Sequence, residues 1–289
     1  MARAGGEIAL AWIDISTGVF WVTVPAQGDL AATLSQISPG ELLVPDSLVE
    51  DSLLGTSLMD WRALLTPLPA TRFDSIAGER RLKRTFRVAS LDAFGAFGRA
   101  ELAACGGLLD YVALTQKGRM PRLLPPRQQM ATAVMAIDAA TRRNLEITAA
   151  LDGGREMSLL GVIDRTLTGA GARLLAARLT APLTDPMVIA ARLDMVQWFL
   201  TERDFREQTR QTLRTCPDIE RALSRLTLDR GGPRDLAAIR DAITRARELK
   251  ELLAVSGKSG LPDELRSVCA GFGDNDVLIE RLTQSLGKD

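Results

Sequence analysis

The sequence predicts an α/β domain followed by an all-α domain. Three observations carry this reading. Up to about residue 118, short β-rich runs alternate with helical patterns. Beyond that point, long segments repeat apolar residues at spacings of three and four. Between the two, Gly118, Pro121, Pro125 and Pro126 cluster within Gln116–Pro126. Prolines remove donors and push their predecessors out of helix, so an extended connection is expected there. The division is therefore 1–118 and 119–289, and 289 residues suit two domains of roughly 150 each.

In the first domain, Ile8–Ile15 and Val19–Val24 flank Ser16-Thr-Gly18, a hairpin signal. Both runs are apolar on both faces, so a sheet covered on each side is expected. Leu30, Leu34 and Ile37 give helical spacing that stops at Ser38-Pro-Gly40, and Glu41–Val44 reads as a further strand. Helices are expected around Ile76–Phe86 and over Arg99–Thr115. The second is rich in Ala and Gly and carries Leu102, Leu108, Leu109 and Val112, so it packs closely.

The second domain is helical by pattern. Asp138 and Ser158 stand where a side-chain oxygen caps free backbone N–H groups. Thr168–Gly171 breaks one helix and Ala172 restarts the next. Asp185-Pro186 is a cap followed by a first-turn proline. The helix it opens places Val188, Ile189, Leu193, Val196, Phe199 and Leu200 on one broad face. Another helix starts at Pro217, and the longest runs from Pro233 to about Val255, roughly 23 residues or ~34 Å. A rod of that length carries a displacement across a domain. From Asp276 a weak helical pattern leads to the end of the sequence, which reads as a cut inside a longer architecture.

Composition bounds the chemistry. Lys plus Arg and Asp plus Glu are each 36, a net charge of zero, which argues against nucleic-acid binding by bulk charge but not by a local patch. The 46% hydrophobic content belongs to a chain with real cores. There is no histidine, which removes Ser-His-Asp and Cys-His catalysis and His-ligated zinc. Cys105, Cys216 and Cys269 are dispersed and odd in number, as in a reducing cytosolic compartment, and none has an evident base partner. No apolar run approaches a membrane span, and Met1–Glu7 has no signal-type core, so a cytoplasmic location is expected.

Four features were weighed for chemistry. Ser256-Gly-Lys-Ser259 ends like a phosphate-binding loop, but Leu252 stands where that pattern needs glycine and the segment follows a helix. Asp14 lies near the end of the first strand, where a metal-dependent nuclease would carry a ligand. Asp46, Glu50, Asp51, Asp60, Asp74 and Asp92 are its available companions. The plainer reading places Asp14 in the turn Asp-Ile-Ser-Thr-Gly, bonding its own backbone. Glu79–Arg87 gathers Arg80, Arg81, Lys83, Arg84 and Arg87, a face for phosphate, an acidic protein or solvent. Arg142 and Arg143 are expected to brace helix against helix.

Several blocks then coincide. Leu10-Ala-Trp-Ile-Asp-Ile-Ser-Thr-Gly18, Leu91-Asp-Ala-Phe-Gly95 and Leu108-Leu-Asp-Tyr111 lie in the first half. Asp138–Thr148, Ser158–Thr168 with Gly171–Leu175, Pro182–Asp185 with Ala191–Asp194, and Pro217–Leu226 with Gly232–Ala237 follow in order. Together they resemble the MutS family of DNA mismatch-repair proteins over nearly the whole chain. The resemblance implies an RNase H-like connector domain without nuclease acids, followed by part of a long-helix lever/core domain. It places the family's mismatch reader and its clamp outside this chain. It also places outside it the ATPase, which uses ATP and Mg. It implies no catalytic, cofactor or metal residue here, and a mechanical role between the ATP and DNA sites of a larger protein. The helices from Pro186 and Pro233 are the expected transmitters and Gln116–Pro126 the expected hinge. The implied partners are DNA, through the whole protein, and MutL, with Arg80 and Arg81 near the docking segment. The piece alone is expected to be monomeric. The rival expectation is an RNase H-like metal-dependent nuclease with a helical accessory domain, led by Asp14.

Overall fold

The structure, a computed structural model, describes residues 1–26, 28–49, 51, 57–256 and 260–286. Two compact units divide the chain, Met1–Gly154 and Arg155–Asp289.

In the first unit, β1 (Ala2–Ala4), β2 (Glu7–Asp14) and β3 (Val19–Thr23) form an antiparallel meander. Its register pairs Trp12 with Trp21 and Ile13 with Phe20. Side chains alternate across a strand, so Ala9, Ala11, Ile13, Phe20 and Val22 turn to one face and Leu10, Trp12 and Trp21 to the other. Helix α1 (Leu30–Ile37) packs Leu30 and Leu34 against Leu10. The expected strand at 41–44 is β4 (Leu42–Pro45), followed by the single turn α2 (Asp46–Val49). β4 pairs in parallel with β5 (Leu65–Leu68). The Met1 amine donates to the Leu43 carbonyl at 2.8 Å, tying the leading end of β1 to β4.

Helices α3 (Ser75–Phe86) and α4 (Arg99–Thr115) cover the opposite face. Ala100, Ala103 and Ala104 of α4 pack on Ala2, Ala9 and Leu43. Cys105 and Leu109 pack on Phe20, Val22 and Leu82. The small residues of α4 act at its seam with α3. A Cβ on Gly106 would lie 2.3 Å from the Gly78 Cα, so two backbones touch where any side chain would part them.

The segment after Gln116 joins the sheet at its far end rather than running free. Leu124 N–H donates to the Gly18 carbonyl at 2.7 Å. β6 (Arg127–Gln128) pairs in parallel with β3, and Thr23 Oγ1 donates to the Gln129 carbonyl. This ladder, and α5 (Ala139–Asn144) capped by Asp138, belong to the first compact unit. The two compact units meet after Gly154, and the segment expected as a hinge is bonded to the sheet at Leu124. Proline-rich sequence reads as a linker, and only the partner strand shows that its remaining N–H groups are used.

The second unit holds α6 (Leu159–Ile163), α7 (Gly169–Thr180), α8 (Pro186–Thr201), α9 (Arg203–Arg214), α10 (Ile219–Thr227), α11 (Pro233–Ser256), α12 (Asp263–Gly271) and α13 (Asp276–Leu286). Side-chain caps at Ser158, Thr168, Asp185 and Asp218 fix four of the helix starts. α11 is 24 residues long and packs against α9, α10 and α13. A small core joins Phe205, Leu253 and Leu265, with Trp198 edge-on to Phe205 at 4.9 Å. The broad apolar face expected for α8 is only partly used. Phe199 packs in this core, whereas Val188, Leu193, Val196 and Leu200 are exposed. Apolar periodicity shows that a face wants cover, not which neighbour supplies it.

Candidate functional site

The basic helix α3 is set by its cap and its glycine. Asp74 accepts from the Ala77 N–H at 2.7 Å, and Gly78 lets the helix lie against α4. With Leu82 fully buried, the remaining positions sort by angle. Arg81 faces α4. Its guanidinium donates to the Arg72 carbonyl at 3.0 Å and pairs with Asp110 at 3.0 Å, while Asp110 also pairs with Arg72. Lys83 pairs with Glu79 one turn back. Arg80, Arg84 and Arg87 are exposed. Arg80 and Arg84 stand four apart on one helical face, and Arg87 follows the helix end in a left-handed conformation. The two arginines singled out in the sequence are therefore separated: Arg80 is on the open face and Arg81 braces one helix against the next.

Asp14 sits in the hairpin turn. One carboxylate oxygen accepts from both the Ser16 N–H (2.8 Å) and its hydroxyl (2.7 Å), and the Asp14 carbonyl accepts from Gly18 N–H. Gly18 has φ 78°, and a Cβ there would meet the Arg122 carbonyl at 2.2 Å, so the turn is specified twice over. Among the other acids, Asp46 accepts from Ser47 and Ala70 N–H groups, Asp51 pairs with Arg3, and Asp74 caps α3. Glu50 lies outside the described residues. Among the described residues, no group of three or more His, Cys, Asp or Glu is placed to hold a metal. Gly257, Lys258 and Ser259 of the loop-like motif also lie outside the described residues.

Burial raises the pKa of all three thiols, with Glu101 adding to the effect at Cys105. Arg142 is buried, and burial lowers its pKa. In the second unit, Arg173 of α7 donates to Asp218 (2.6 and 3.0 Å) and Glu220 (2.7 Å) at the start of α10. The guanidinium holds the Asp218 carboxyl below the usual carboxylate range. This clamp, like the Arg72–Asp110–Arg81 brace, gave no sequence signal because its partners lie far apart in the chain.

These features define a mixed α/β unit and a helical unit whose ionic groups mostly brace helices. Residues 1–124 match the family model for MutS domain II, and residues 140–286 that for MutS domain III. Among curated relatives, DNA mismatch repair protein MutS of Rhodopseudomonas palustris (strain BisB5) is 48% identical over 284 residues, covering 98% of this chain and 30% of the relative. The protein of the same name from strain HaA2 is 50% identical over 277 residues, 94% of this chain and 30% of the relative. That of Ruegeria sp. (strain TM1040) is 47% identical over 247 residues, 86% of this chain and 28% of the relative. The chain belongs to the MutS family, and it spans about 30% of the length of these relatives. No described helix is long and apolar enough to cross a membrane.

Proposed function

We propose that this chain is the connector and part of the lever core of a cytoplasmic mismatch-repair ATPase, and that it transmits conformational change without making or breaking bonds. The observation that carries this reading is the helical unit itself: α11 touches α9, α10 and α13, so displacing one end of the rod loads three neighbours. Coupling between distant sites requires contacts that differ between states, and a rigid rod shared by several helices supplies them. α8, which contacts α9 and α12, is the second transmitter.

The first unit is proposed as RNase H-like. The antiparallel meander followed by a parallel pair, with β1 tied to β4 through Met1, supports that assignment. Asp14 serves its own turn there, and among the described residues no metal-holding group of acids gathers, which weighs against the nuclease reading. ATP and Mg belong to the whole protein; among the described residues no group of three or more His, Cys, Asp or Glu is placed to hold a metal. MutL docking is proposed for the exposed face of α3, with Arg80 as the contact and Arg81 as the residue that holds the face in place. The isolated chain is expected to be monomeric.

A gel-shift with mispaired and matched duplex, beside an ATPase assay, tests the central claim. The chain should show no preference for the mispair and no hydrolysis. A clear preference, or turnover, overturns the proposal.

A further inference from the structure

We propose that the basic segment Lys117–Arg127, which leads into the edge strand β6, forms with the Trp12–Trp21 pair a contact surface for single-stranded nucleic acid. The chain is neutral as a whole, yet no Asp or Glu occurs between Asp110 and Asp138. Within that stretch Lys117, Arg119, Arg122 and Arg127 are all exposed. A local field of this kind survives overall neutrality because screening confines each charge to about 8–10 Å.

The fold gives the charges a track. β6 is an outer strand of the four-stranded sheet, and the segment before it is fastened at Leu124 to Gly18, just ahead of β3. Fully extended, the eight steps from Arg119 to Arg127 reach at most roughly 26 Å. That is room for the shorter sites of single-strand binders, which begin at about 4 nucleotides.

Alternation along the strand assigns the faces. Gln128 donates to the Glu101 carboxylate of α4, so it points to the helix-covered face. Arg127 therefore points to the other, where its guanidinium carbon lies 5.9 Å from the Trp21 ring centroid. Trp12 and Trp21 stack there at 6.5 Å and 21°. Both rings are half-buried, so each offers part of a flat π surface. Cations in a row with aromatic faces beside them suit phosphates with unstacked bases. An acidic peptide would use the arginines but has no planar group for the indoles. A duplex would offer phosphates and keep its bases stacked.

The test is anisotropy of a labelled 12-nucleotide oligothymidine with the whole chain, alongside intrinsic tryptophan fluorescence. Four phosphate contacts predict a log–log salt slope of about −2.8, a loss of about fifty-fold from 50 to 200 mM salt. Arg127→Gln should weaken binding and reduce that slope by about 0.7. Trp21→Ala should weaken binding, and Trp21→Phe should restore part of it. Unfolding midpoints matched to the parent confirm that each variant is folded, and Arg127→Gln, at an exposed side chain, carries the test should Trp21→Ala not fold. Three results would overturn the proposal: no binding at 50 mM salt, a slope unchanged by Arg127→Gln, or competition by duplex DNA or polyglutamate equal to that by the oligonucleotide.

Discussion

Gly106→Ala tests the helix seam that organises the first unit. In an unobstructed helix the change gains about 1 kcal/mol, since alanine gives up less backbone freedom than glycine. Here the new Cβ would stand 2.3 Å from the Gly78 Cα and 3.2 Å from its nitrogen. Both obstacles are backbone, so relief requires α3 and α4 to separate by roughly 1 Å, towards ordinary contact. That separation loosens Leu82 from Cys105 and Leu109 and stretches the Arg81–Asp110 pair. Overpacking of this kind costs ~1–3 kcal/mol and more when the backbone cannot yield. Net of the helix gain, a loss of about 2 kcal/mol is expected, a drop of roughly 4–8 °C in the midpoint of the first unit. Thermal unfolding followed by near-UV circular dichroism reads it. Gly271→Ala is the control, because a Cβ at the end of α12 meets nothing within 4 Å. Should Gly106→Ala raise the midpoint as an open helical site would, the seam is not where the structure puts it.

Asp110→Ala should lower the first unit's stability by about 1–2 kcal/mol, because it leaves Arg72 and Arg81 facing each other, with the deficit shrinking at 1 M salt; Arg80→Ala should change stability by less than about 0.5 kcal/mol while weakening the MutL docking proposed for that face. Asp218→Ala removes both a helix cap and the Arg173 partner and should cost about 2 kcal/mol in the second unit, readable as a shift in its denaturant midpoint. The stability that Asp218 contributes is present above the ordinary carboxylate range and is lost as the pH falls through its lowered pKa.

Local chemistry was legible throughout. Asp138, Ser158 and Asp185 cap as their positions announce, since a cap needs only its own helix start within reach. The Ser16–Gly18 turn, the β2–β3 hairpin and the long helix after Gly232 are local for the same reason. The family blocks were equally readable, because residue order along the chain is what they consist of. The basic run from Lys117 to Arg127 was also present in the sequence, in the absence of any acid between Asp110 and Asp138, but the prolines drew it into the description of a linker.

Composition and periodicity thus determined by themselves that a β-rich unit precedes a helical one and where most helices begin, while the family resemblance rests on the residue order of its blocks. Tertiary structure alone decided that Arg80 is open while Arg81 braces α4, that Leu124 and residues 127–129 bond to the sheet, and that much of α8's apolar face is exposed. The physical reason is range. Caps, turns and helical period are set by neighbours within a few residues, whereas a side chain's partner is set by whichever distant backbone the packing brings against it.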